Sequence, residues 1–413
     1  MKLLITTGIF PPDIGGPATY VPVMAEALTA RGLRVSVLTL SPPETRSEDK
    51  YPFVVIRIPR LPAGLRRTAY LIARIAAVVH QHDLVFAPGL PVESAVAALL
   101  ARRPYVVKIV GDLAWERAVV QGRITDDLET FQTRWYSPRI ELHRMALRWA
   151  TRRAARVVVP SMYLRRIVGG WGAASERLEV IPNVPPPVTG DGTGGISQHR
   201  AEVGSRDRFR VMTVARLVPW KGIDQVIRGV ATLEGMELIV VGDGPERSYL
   251  ESVAAATRCP ARFLGQTSRA EVLMLLRTAD VLVLNSAYEG HPHVVLEAMA
   301  LGVPVIARAA GGTPEVIRHR ETGLLLRSGD PAEIADVLSL LRRDPELRVQ
   351  LGQSGQGWVQ SLTLDDIAER TYRVLVEAVA GSSRHDPQEA GGGNRCGSGR
   401  PDRSGASGRG SGS

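Results

Sequence analysis

Residues 281–299 read VLVLNSAYEGHPHVVLEAM. The four apolar residues from Val281 to Leu284 are typical of a buried strand, and the chain then passes through a loop into a stretch with helical spacing that begins near Pro292. A strand that leads through a short loop into a helix is the repeating unit of a parallel α/β sheet. This segment therefore predicts the fold class, and the rest of the chain repeats its pattern.

Short β-branched runs alternate with longer helical stretches on both sides of this segment. The runs of the first half predict strands at 3–7, 35–40, 54–58, 84–87, 105–110, 157–160 and 178–181. Those of the second half predict strands at 209–214, 237–241, 262–264, 281–284, 304–307 and 323–326. We therefore predict an α/β protein with two Rossmann-like, doubly wound domains in tandem and a cleft between them.

The composition changes at two places along the chain. Residues 183–207 are rich in Pro, Gly, Thr and Ser and are predicted to be a linker. From residue 381 the chain has 10 Gly and 7 Ser in 33 residues and almost no apolar side chains. Such a tail, 381–413, cannot bury enough surface to offset its ordering entropy, so we predict that it is disordered.

The composition also excludes several classes of protein. With 413 residues, 44% of them apolar and 23% charged, the chain is not wholly disordered. No long apolar run is free of charge and proline, so an integral membrane span is not predicted, and the run before Pro11 is too short for a signal peptide. Cys259 and Cys396 lie 137 positions apart, which offers no disulfide framework and no thiolate metal site and fits a reducing cytoplasm.

The net charge of +9 is unevenly distributed. Residues 1–182 hold 25 basic against 15 acidic side chains, whereas residues 183–380 hold 21 against 24. The basic half favours an anionic partner, such as a phosphorylated substrate or lipid head groups, or is a solvated arginine surface. The arginine-rich stretch 139–156 also has two interpretations, a membrane-surface helix and an ordinary amphipathic helix. Aromatic residues make up only 5% of the chain, so nucleic acid is not favoured as a partner.

Lysine is scarce, because only 4 of the 51 basic residues are lysines: Lys2, Lys50, Lys108 and Lys221. Two of them, Lys108 and Lys221, lie on segments that lead to the predicted cleft. Lys221 and Arg216 stand five residues apart on a loop between a strand and a helix. There they can converge on one diphosphate, the arginine as a fork and the lysine as a compact charge. The alternative is a pair of solvated loop cations.

A glycine pair follows the first predicted strand. Gly15 and Gly16 can bring backbone N–H groups close to an anion at the N-terminus of a helix that begins near Ala18. The segment lacks both the Gly-x-Gly-x-x-Gly and the Walker patterns. Taken alone, it is equally well interpreted as a plain turn.

Two glutamates frame the loop and helix of the opening segment. Glu289 lies in the loop and Glu297 lies about one and a half turns into the helix, so both can face one cleft mouth. The N–H groups around His293 and Val294 carry the positive end of the helix dipole, which suits a phosphate. Glu297 can accept hydrogen bonds from ribose hydroxyls, while Glu289 can contact a sugar. A second glycine-rich loop, 310–315, accompanies them.

Together these segments resemble glycosyltransferase family 4, the retaining enzymes of the GT-B fold, over roughly residues 1–380. The resemblance rests on two glutamates with seven residues between them, the Arg/Lys pair, the Gly-Gly-x-Pro-Glu loop at 311–315 and the N-terminal glycine pair. It implies acceptor binding mainly by an N-terminal domain, 1–182, and nucleotide-sugar binding mainly by a second domain, 208–358. It also implies a segment, 359–380, that returns to the first domain through a helix over 362–378.

The resemblance also implies roles for single residues. Arg216 and Lys221 would hold the donor diphosphate, Gly16 would close on the phosphates from the other domain, and Glu297 would hold the ribose. Glu289, with the backbone of the residues after it, would meet the hexose and take part in catalysis. Six further residues are expected to bind the donor: Gly15, Gly265, Gln266, Gly290, His293 and Val294. The nucleotide base is expected to be recognised near Gly265 and Gln266.

No metal and no cofactor are expected, because the family is metal-independent in general and the sequence has no Asp-x-Asp pair. One departure concerns the histidine that the family usually has at the end of an N-domain strand, where this chain has Val110. Asp112, two residues on, is our candidate for a catalytic substitute, and a helix N-cap is an equally good interpretation of the same residue.

The sequence thus predicts a cytoplasmic retaining hexosyltransferase that uses a UDP- or GDP-sugar as co-substrate and a glycan or lipid-linked acceptor. Its basic N-terminal domain is a candidate for peripheral contact with the inner face of the membrane. The alternatives are another activity on the same fold, such as an epimerase or a phosphorylase, and a non-catalytic binding role. No lysine is placed as a pyridoxal-phosphate attachment site.

Overall fold

The structure, a computed structural model, describes residues 1–41, 51–185 and 208–383. Most of the predicted linker and the tail from residue 384 lie outside these ranges, so the disorder prediction for the tail concerns residues that are not described.

The N-terminal domain is a parallel sheet covered by helices on both faces. Its strands are β1 (Lys2–Thr7), β2 (Arg34–Ser41), β3 (Val54–Pro59), β4 (Leu84–Ala87), β5 (Tyr105–Lys108), β6 (Arg156–Val159) and β7 (Leu178–Val180), in the spatial order β3-β2-β1-β4-β5-β6-β7. Its helices are α1 (Gly16–Ala30), α2 (Leu65–Val79), α3 (Pro91–Leu100), α4 (Leu113–Val120), α5 (Leu128–Thr133), α6 (Pro138–Arg153) and α7 (Met162–Gly169).

The second domain repeats this architecture. Its parallel strands are β8 (Phe209–Val214), β9 (Met236–Val241), β10 (Ala261–Gly265), β11 (Val281–Leu284), β12 (Val305–Arg308) and β13 (Leu324–Leu326), in the order β10-β9-β8-β11-β12-β13. Its helices are α8 (Ile223–Ala231), α9 (Arg247–Thr257), α10 (Arg269–Leu276), α11 (His293–Ala300), α12 (Thr313–Val316), α13 (Pro331–Arg343) and α14 (Pro345–Gln360).

The predicted α/β class with two doubly wound domains is confirmed. Strands β4 and β11, with the sequences LVFA and VLVL, are buried along their whole length, as continuous apolar strands between two helix layers must be. Each strand expected from the sequence is present, with small shifts at its ends. The largest shift is at β5, which ends at Lys108 rather than Val110, because the chain turns there into the start of α4.

The final helix, α15 (Leu364–Ser383), belongs to the N-terminal domain in space although it ends the described chain. It packs against α1 and over β4, β5 and β6. Its side chains Ile367, Ala368 and Leu375 are buried in the same core cluster as Leu3 and Ile5 of β1. The chain therefore crosses back from the second domain to the first. Among the described helices, none has both the length and the apolar character needed to cross a membrane.

Both sheets have a point where the strand order reverses, between β1 and β4 in one domain and between β8 and β11 in the other. Ligands of open α/β sheets bind outside the carboxyl ends of the strands at such points. The loops that the sequence analysis singled out follow β1, β8 and β11. The topology therefore brings the candidate residues of both domains to the edges that face the cleft.

Candidate active site

A cavity of about 600 Å³ lies between the two domains and is lined by residues of both. Every site residue expected from the sequence lines it except Asp112 and Gly265. The expected residues that line it are Gly15, Gly16, Arg216, Lys221, Gln266, Glu289, Gly290, His293, Val294 and Glu297. We call this space the main cavity.

The N-terminal glycine pair faces the start of α11 across the main cavity. A Cβ atom built on Gly16 would lie 3.5 Å from Cδ2 of His293, in ordinary van der Waals contact. Gly15 has a φ of 145°, and a Cβ atom there would lie only 2.9 Å from Cδ1 of Ile9. Only glycine fits at this position, and the pair brings the backbone of one domain to the positive end of a helix of the other.

The loop after β8 carries the two expected cations. Lys221 Nζ donates a hydrogen bond to Glu289 Oε1 at 2.5 Å, and the two side chains are only 16% and 14% exposed. The exposed guanidinium of Arg216 lies 5.5 Å from the ring centroid of Trp220. Gly222 follows with a φ of 57°, and a Cβ atom there would lie 2.7 Å from the carbonyl oxygen of Asn285. This close approach holds the loop after β8 against the loop after β11.

Glu297 lies in the second turn of α11 and is buried. Arg269 Nε donates a hydrogen bond to Glu297 Oε1 at 2.9 Å. Burial raises the pKa of Glu297, and the charge and hydrogen bond of Arg269 oppose that rise. Arg269 is a site residue that the sequence analysis missed. The Ser-x-x-Glu capping box formed by Ser268 and Glu271 fixes the first turn of α10, on which Arg269 lies, but it does not point to the partner Glu297.

The loops after β5 and β11 touch. A Cβ atom on Gly290 would lie 2.4 Å from the carbonyl oxygen of Val110, so a larger residue would force the two domains apart. Tyr288 Oη donates a hydrogen bond to that carbonyl at 3.4 Å. Val110, which stands where the family has a histidine, thus contributes a backbone carbonyl and an apolar side chain to the cleft.

Asp112 does not face the cleft, and this corrects its assignment as a catalytic candidate. It is the N-cap of α4, where Oδ1 accepts hydrogen bonds from the backbone N–H groups of Ala114 at 3.0 Å and Trp115 at 3.1 Å. Its Oδ2 accepts from Nε2 of Gln132 at 3.0 Å. Both oxygens are engaged inside the N-terminal domain, so we assign Asp112 the structural role.

Gly265 also lies outside the main cavity. It ends β10 with a φ of 72°, and its carbonyl oxygen accepts a hydrogen bond from the N–H of Gly242 at 2.8 Å. Gln266 and Thr267, the next two residues, line the cavity instead. The place where a base could meet the backbone is therefore shifted one residue along the chain.

The expected glycine-rich companion loop joins the domains. The carboxylate of Glu315 accepts hydrogen bonds from the backbone N–H groups of Met162 at 2.7 Å and Tyr163 at 2.8 Å, at the N-terminus of α7 in the other domain. Gly312 N–H donates to the carbonyl oxygen of Glu289 at 2.8 Å. This loop therefore positions the Glu289 loop and ties it to the N-terminal domain.

Two family models match the chain. The model described as glycosyl transferases group 1 matches residues 196–358, and the model described as glycosyl transferase 4-like domain matches residues 15–184. The chain belongs to the group 1 glycosyltransferases. The resemblance to glycosyltransferase family 4 is thereby confirmed, and so is the expectation that the protein is an enzyme of the glycosyltransferase class.

Relatives of this glycosyltransferase cover between about half and most of its length. The GDP-mannose-dependent alpha-(1-6)-phosphatidylinositol monomannoside mannosyltransferase of Mycobacterium tuberculosis is 27% identical over 384 residues, which are 87% of this chain and 93% of the relative. The lipopolysaccharide core biosynthesis glycosyltransferase LpsD of Rhizobium meliloti is 36% identical over 206 residues, 48% of this chain and 56% of the relative.

Among solved structures, that of Anabaena HepE in complex with UDP and glucose superimposes with a TM-score of 0.73. It shares 24% identity and covers 91% of this chain and 99% of its own. This likeness shows the fold, and it confirms the GT-B architecture of two Rossmann-like domains that face a cleft.

A second residue that the sequence analysis missed in this glycosyltransferase is Glu116, one turn into α4. Its half-buried side chain lines the main cavity close to the cationic loop after β8. Burial raises its pKa to about 7, against the opposing charges of Arg216 and Lys221. A Cβ atom on Gly111 would lie 2.4 Å from Oε1 of Glu116, so glycine at 111 leaves room for this carboxylate.

The described residues contain no cluster of three or more His, Cys, Asp or Glu side chains that could hold a metal ion. The main cavity is lined by three cations, four carboxylates and the first turn of α11: Arg216, Lys221, Arg269, Glu116, Asp243, Glu289, Glu297 and the N–H groups of His293 and Val294.

Proposed function

We propose that this glycosyltransferase moves a hexosyl group from a UDP- or GDP-sugar to a hydroxyl of a glycan or lipid-linked acceptor, with retention of anomeric configuration. The observation that carries the proposal is that Arg216, Lys221 and the N-terminus of α11 line the same cavity, with Gly16 of the other domain beside that N-terminus. Two side-chain cations and a helix N-terminus within one cleft suit a diphosphate.

The remaining donor contacts follow from the same geometry. Glu297, held by Arg269, offers a carboxylate to the hydroxyls of a ribose, and Gln266 borders the place for the base. Glu289 is held by Lys221 and faces the hexose. In the reaction, the bond from the anomeric carbon to the diphosphate breaks and a bond to the acceptor oxygen forms. The acceptor's proton passes to the departing phosphate.

The cations stabilise the negative charge that grows on the departing diphosphate. Fixed groups that face such a charge in a site shielded from water act strongly because they need no reorganisation during the reaction. Arg216 and Lys221 supply this stabilisation, together with the helix dipole of α11. We propose that the enzyme uses no metal ion and no cofactor besides the nucleotide sugar.

We further propose that the enzyme is cytoplasmic and that its basic N-terminal domain rests on the inner face of the membrane when the acceptor is lipid-linked. Support comes from α6, where the exposed side chains include Arg139, Arg152, Leu142 and Met145. Arg144, part of the arginine face expected from the sequence, is buried and forms an ion pair with Glu141, so the face is narrower than expected.

Calorimetric titration of UDP, GDP and their common sugars into the purified protein tests the donor site. We expect one class of nucleotide to bind and Lys221→Met to weaken it, whereas Lys2→Met, a lysine outside the cleft, leaves binding unchanged. Release of free nucleotide diphosphate that requires an acceptor then establishes transfer. Failure of every nucleotide to bind would refute the proposal, and turnover without an acceptor would indicate an epimerase or a hydrolase.

A further inference from the structure

A second cavity, of about 270 Å³, adjoins the main cavity between the two domains. We call it the floor cavity and define it by Tyr20, Lys108, Asn183, His291 and His293. One water molecule needs about 10–15 Å³ of cavity volume, so this cavity has room for many times more than one water. It can therefore hold a group of the size of a sugar ring beside the residues that we assign to the diphosphate.

Lys108, the last residue of β5, points into the floor cavity from the N-terminal domain. Its side chain is 3% exposed, and its Nζ has no hydrogen-bond partner among the described residues. The ring of Tyr20, whose centroid lies 4.1 Å from Nζ, offers the ammonium group a cation–π contact. Burial lowers the pKa of this lysine to about 7. A buried ammonium group without a partner is costly, so its presence indicates a ligand rather than a contribution to stability.

Three other polar atoms of the floor cavity are also buried and unpaired in the part of the chain that the structure describes. Nδ1 of His291, Nδ1 of His293 and Oδ1 of Asn183 are buried and, within the described ranges, accept or donate no hydrogen bond. Burial, with a further contribution from the charge of Lys108, lowers the pKa of His291 to about 3 and that of His293 to about 4. Both histidines are therefore neutral and offer hydrogen bonds without adding charge.

The charge balance of the floor cavity decides the chemistry of its ligand. Lys221 and Glu289 reach its edge, but they form an ion pair with each other and cancel. Tyr20 and the two histidines are neutral. Lys108 is then the single uncompensated charge among the described residues that face the cavity, and it is positive when protonated. A buried cation favours an anionic group over a hydroxyl group.

We propose that the floor cavity is a subsite for a negatively charged substituent of the sugar substrate, a carboxylate of the uronic-acid type, which pairs with Lys108 and accepts hydrogen bonds from the neighbouring histidines. The inference rests on the proposed function, because it names the class of sugar that the transferase takes. The carboxylate belongs either to the sugar being transferred or to the acceptor, and the experiment below separates these two sources.

The first arm of the experiment uses matched donors that differ only at C6: UDP-glucuronate against UDP-glucose, UDP-galacturonate against UDP-galactose and GDP-mannuronate against GDP-mannose. We expect one acidic donor to bind at least about tenfold more tightly than its neutral counterpart, since a charge-assisted pair replaces a neutral contact. Lys108→Met is expected to abolish this preference, Lys108→Arg to retain part of it, and Lys2→Met to leave it unchanged.

The second arm compares methyl α-glucuronide with methyl α-glucoside as acceptors in turnover. A preference for the acidic acceptor that disappears in Lys108→Met assigns the subsite to the acceptor and supports the proposal. If neither arm shows an acid preference that depends on Lys108, the proposal is overturned. It is also overturned if Lys108→Met weakens the binding of UDP or GDP alone as much as that of the sugar nucleotides, because Lys108 then serves the diphosphate.

A third readout needs no variant. When an anion pairs with Lys108, it raises the pKa of that lysine, so at pH 8 the wild-type protein should take up nearly one more proton with the acidic sugar than with its neutral counterpart. Calorimetry in buffers of different ionisation enthalpy measures this difference. Comparison within one matched pair removes the proton exchange that both sugars cause at the other groups near the cleft, which are Tyr20, Glu116, Glu289, His291 and His293.

Binding of UDP or GDP alone tests the proposed function separately. If a nucleotide binds but no acid preference appears, only the subsite is refuted. If no nucleotide binds, the transferase assignment of the cleft fails and the subsite fails with it.

Discussion

Replacing Lys221 by methionine is expected to affect stability and donor binding through two separable effects. The ion pair between Lys221 and Glu289 has an N–O distance of 2.5 Å, with side chains that are 16% and 14% exposed. Breaking a fully buried pair costs ~3–5 kcal/mol, and an exposed pair contributes less than ~1 kcal/mol. For this mostly buried pair we expect a loss of about 2 kcal/mol in the free energy of unfolding, since the Glu289 carboxylate loses its cation.

The expected loss in the binding free energy of the nucleotide is of similar size. A hydrogen bond from an ammonium group to a phosphate contributes about 1.5–3 kcal/mol. Its loss should raise the Kd for UDP or GDP by a factor of about 10–150. Denaturant titration measures the first effect and calorimetry the second. We also expect kcat to fall, because the charge on the departing diphosphate is greatest in the transition state.

The double variant Lys221→Met/Glu289→Gln separates the two effects. With both partners neutral, no buried charge is left unpaired, so most of the lost stability should return. The diphosphate still lacks its lysine, so nucleotide affinity should stay low. The reasoning is refuted if Lys221→Met changes neither stability nor affinity. Recovery of affinity in the double variant would mean that Lys221 serves only to hold Glu289.

Three further substitutions test the roles assigned to single residues. Asp112→Asn should keep kcat because Asn is as good an N-cap as Asp, and it gives up only the hydrogen bond from Gln132, whereas Asp112→Ala should also lose the cap, ~0.5–2 kcal/mol of stability. A folded Asp112→Asn protein with a tenfold lower kcat would contradict the structural role. Burial raises the pKa of Glu116 from 4.5 to about 7. Between these pH values the folded protein keeps a proton that the unfolded chain releases, so wild-type stability should fall relative to Glu116→Gln as the pH rises. If the Tm values of the two proteins change equally between pH 4 and 8, the shift is excluded. Glu315→Gln removes a carboxylate from a helix N-terminus, which contributes ~0.3–1 kcal/mol, and should therefore loosen domain closure. We expect the KM for the donor to rise about 2–5-fold at constant kcat. Small-angle scattering should show a larger radius of gyration than for the exposed control Glu321→Gln.

The sequence predicted the inner strands well because they are buried on both faces. In β11 every residue is apolar and fully enclosed, so the run VLVL stands out from the helices around it. The loops after β1, β8 and β11 were found for a related reason, since glycines, cations and glutamates placed directly after a strand rarely serve packing alone. These features depend on local sequence, which is why they can be predicted without knowing how the domains meet.

Arg269 and Glu116 could not be found in this way. Arg269 acts through Glu297, which is 28 positions further along the chain, and nothing local in the segment from Ser268 to Glu271 points to that partner. Glu116 borders the cationic loop of the other domain, and the charges of Arg216 and Lys221 act on its pKa only when the two domains face each other. Contacts of this kind depend on tertiary and interdomain geometry.

The position of the absent histidine shows the same limit. Asp112 was the candidate because it lies two residues from Val110, but the chain turns at Gly111, and capping α4 directs the Asp112 carboxylate into its own helix. The polar side chains that the N-terminal domain does present lie before and after that turn. Lys108 faces the floor cavity and Glu116 faces the cationic loop, so the two opposite charges serve different parts of the cleft. A single neutral histidine could not provide this separation of charge.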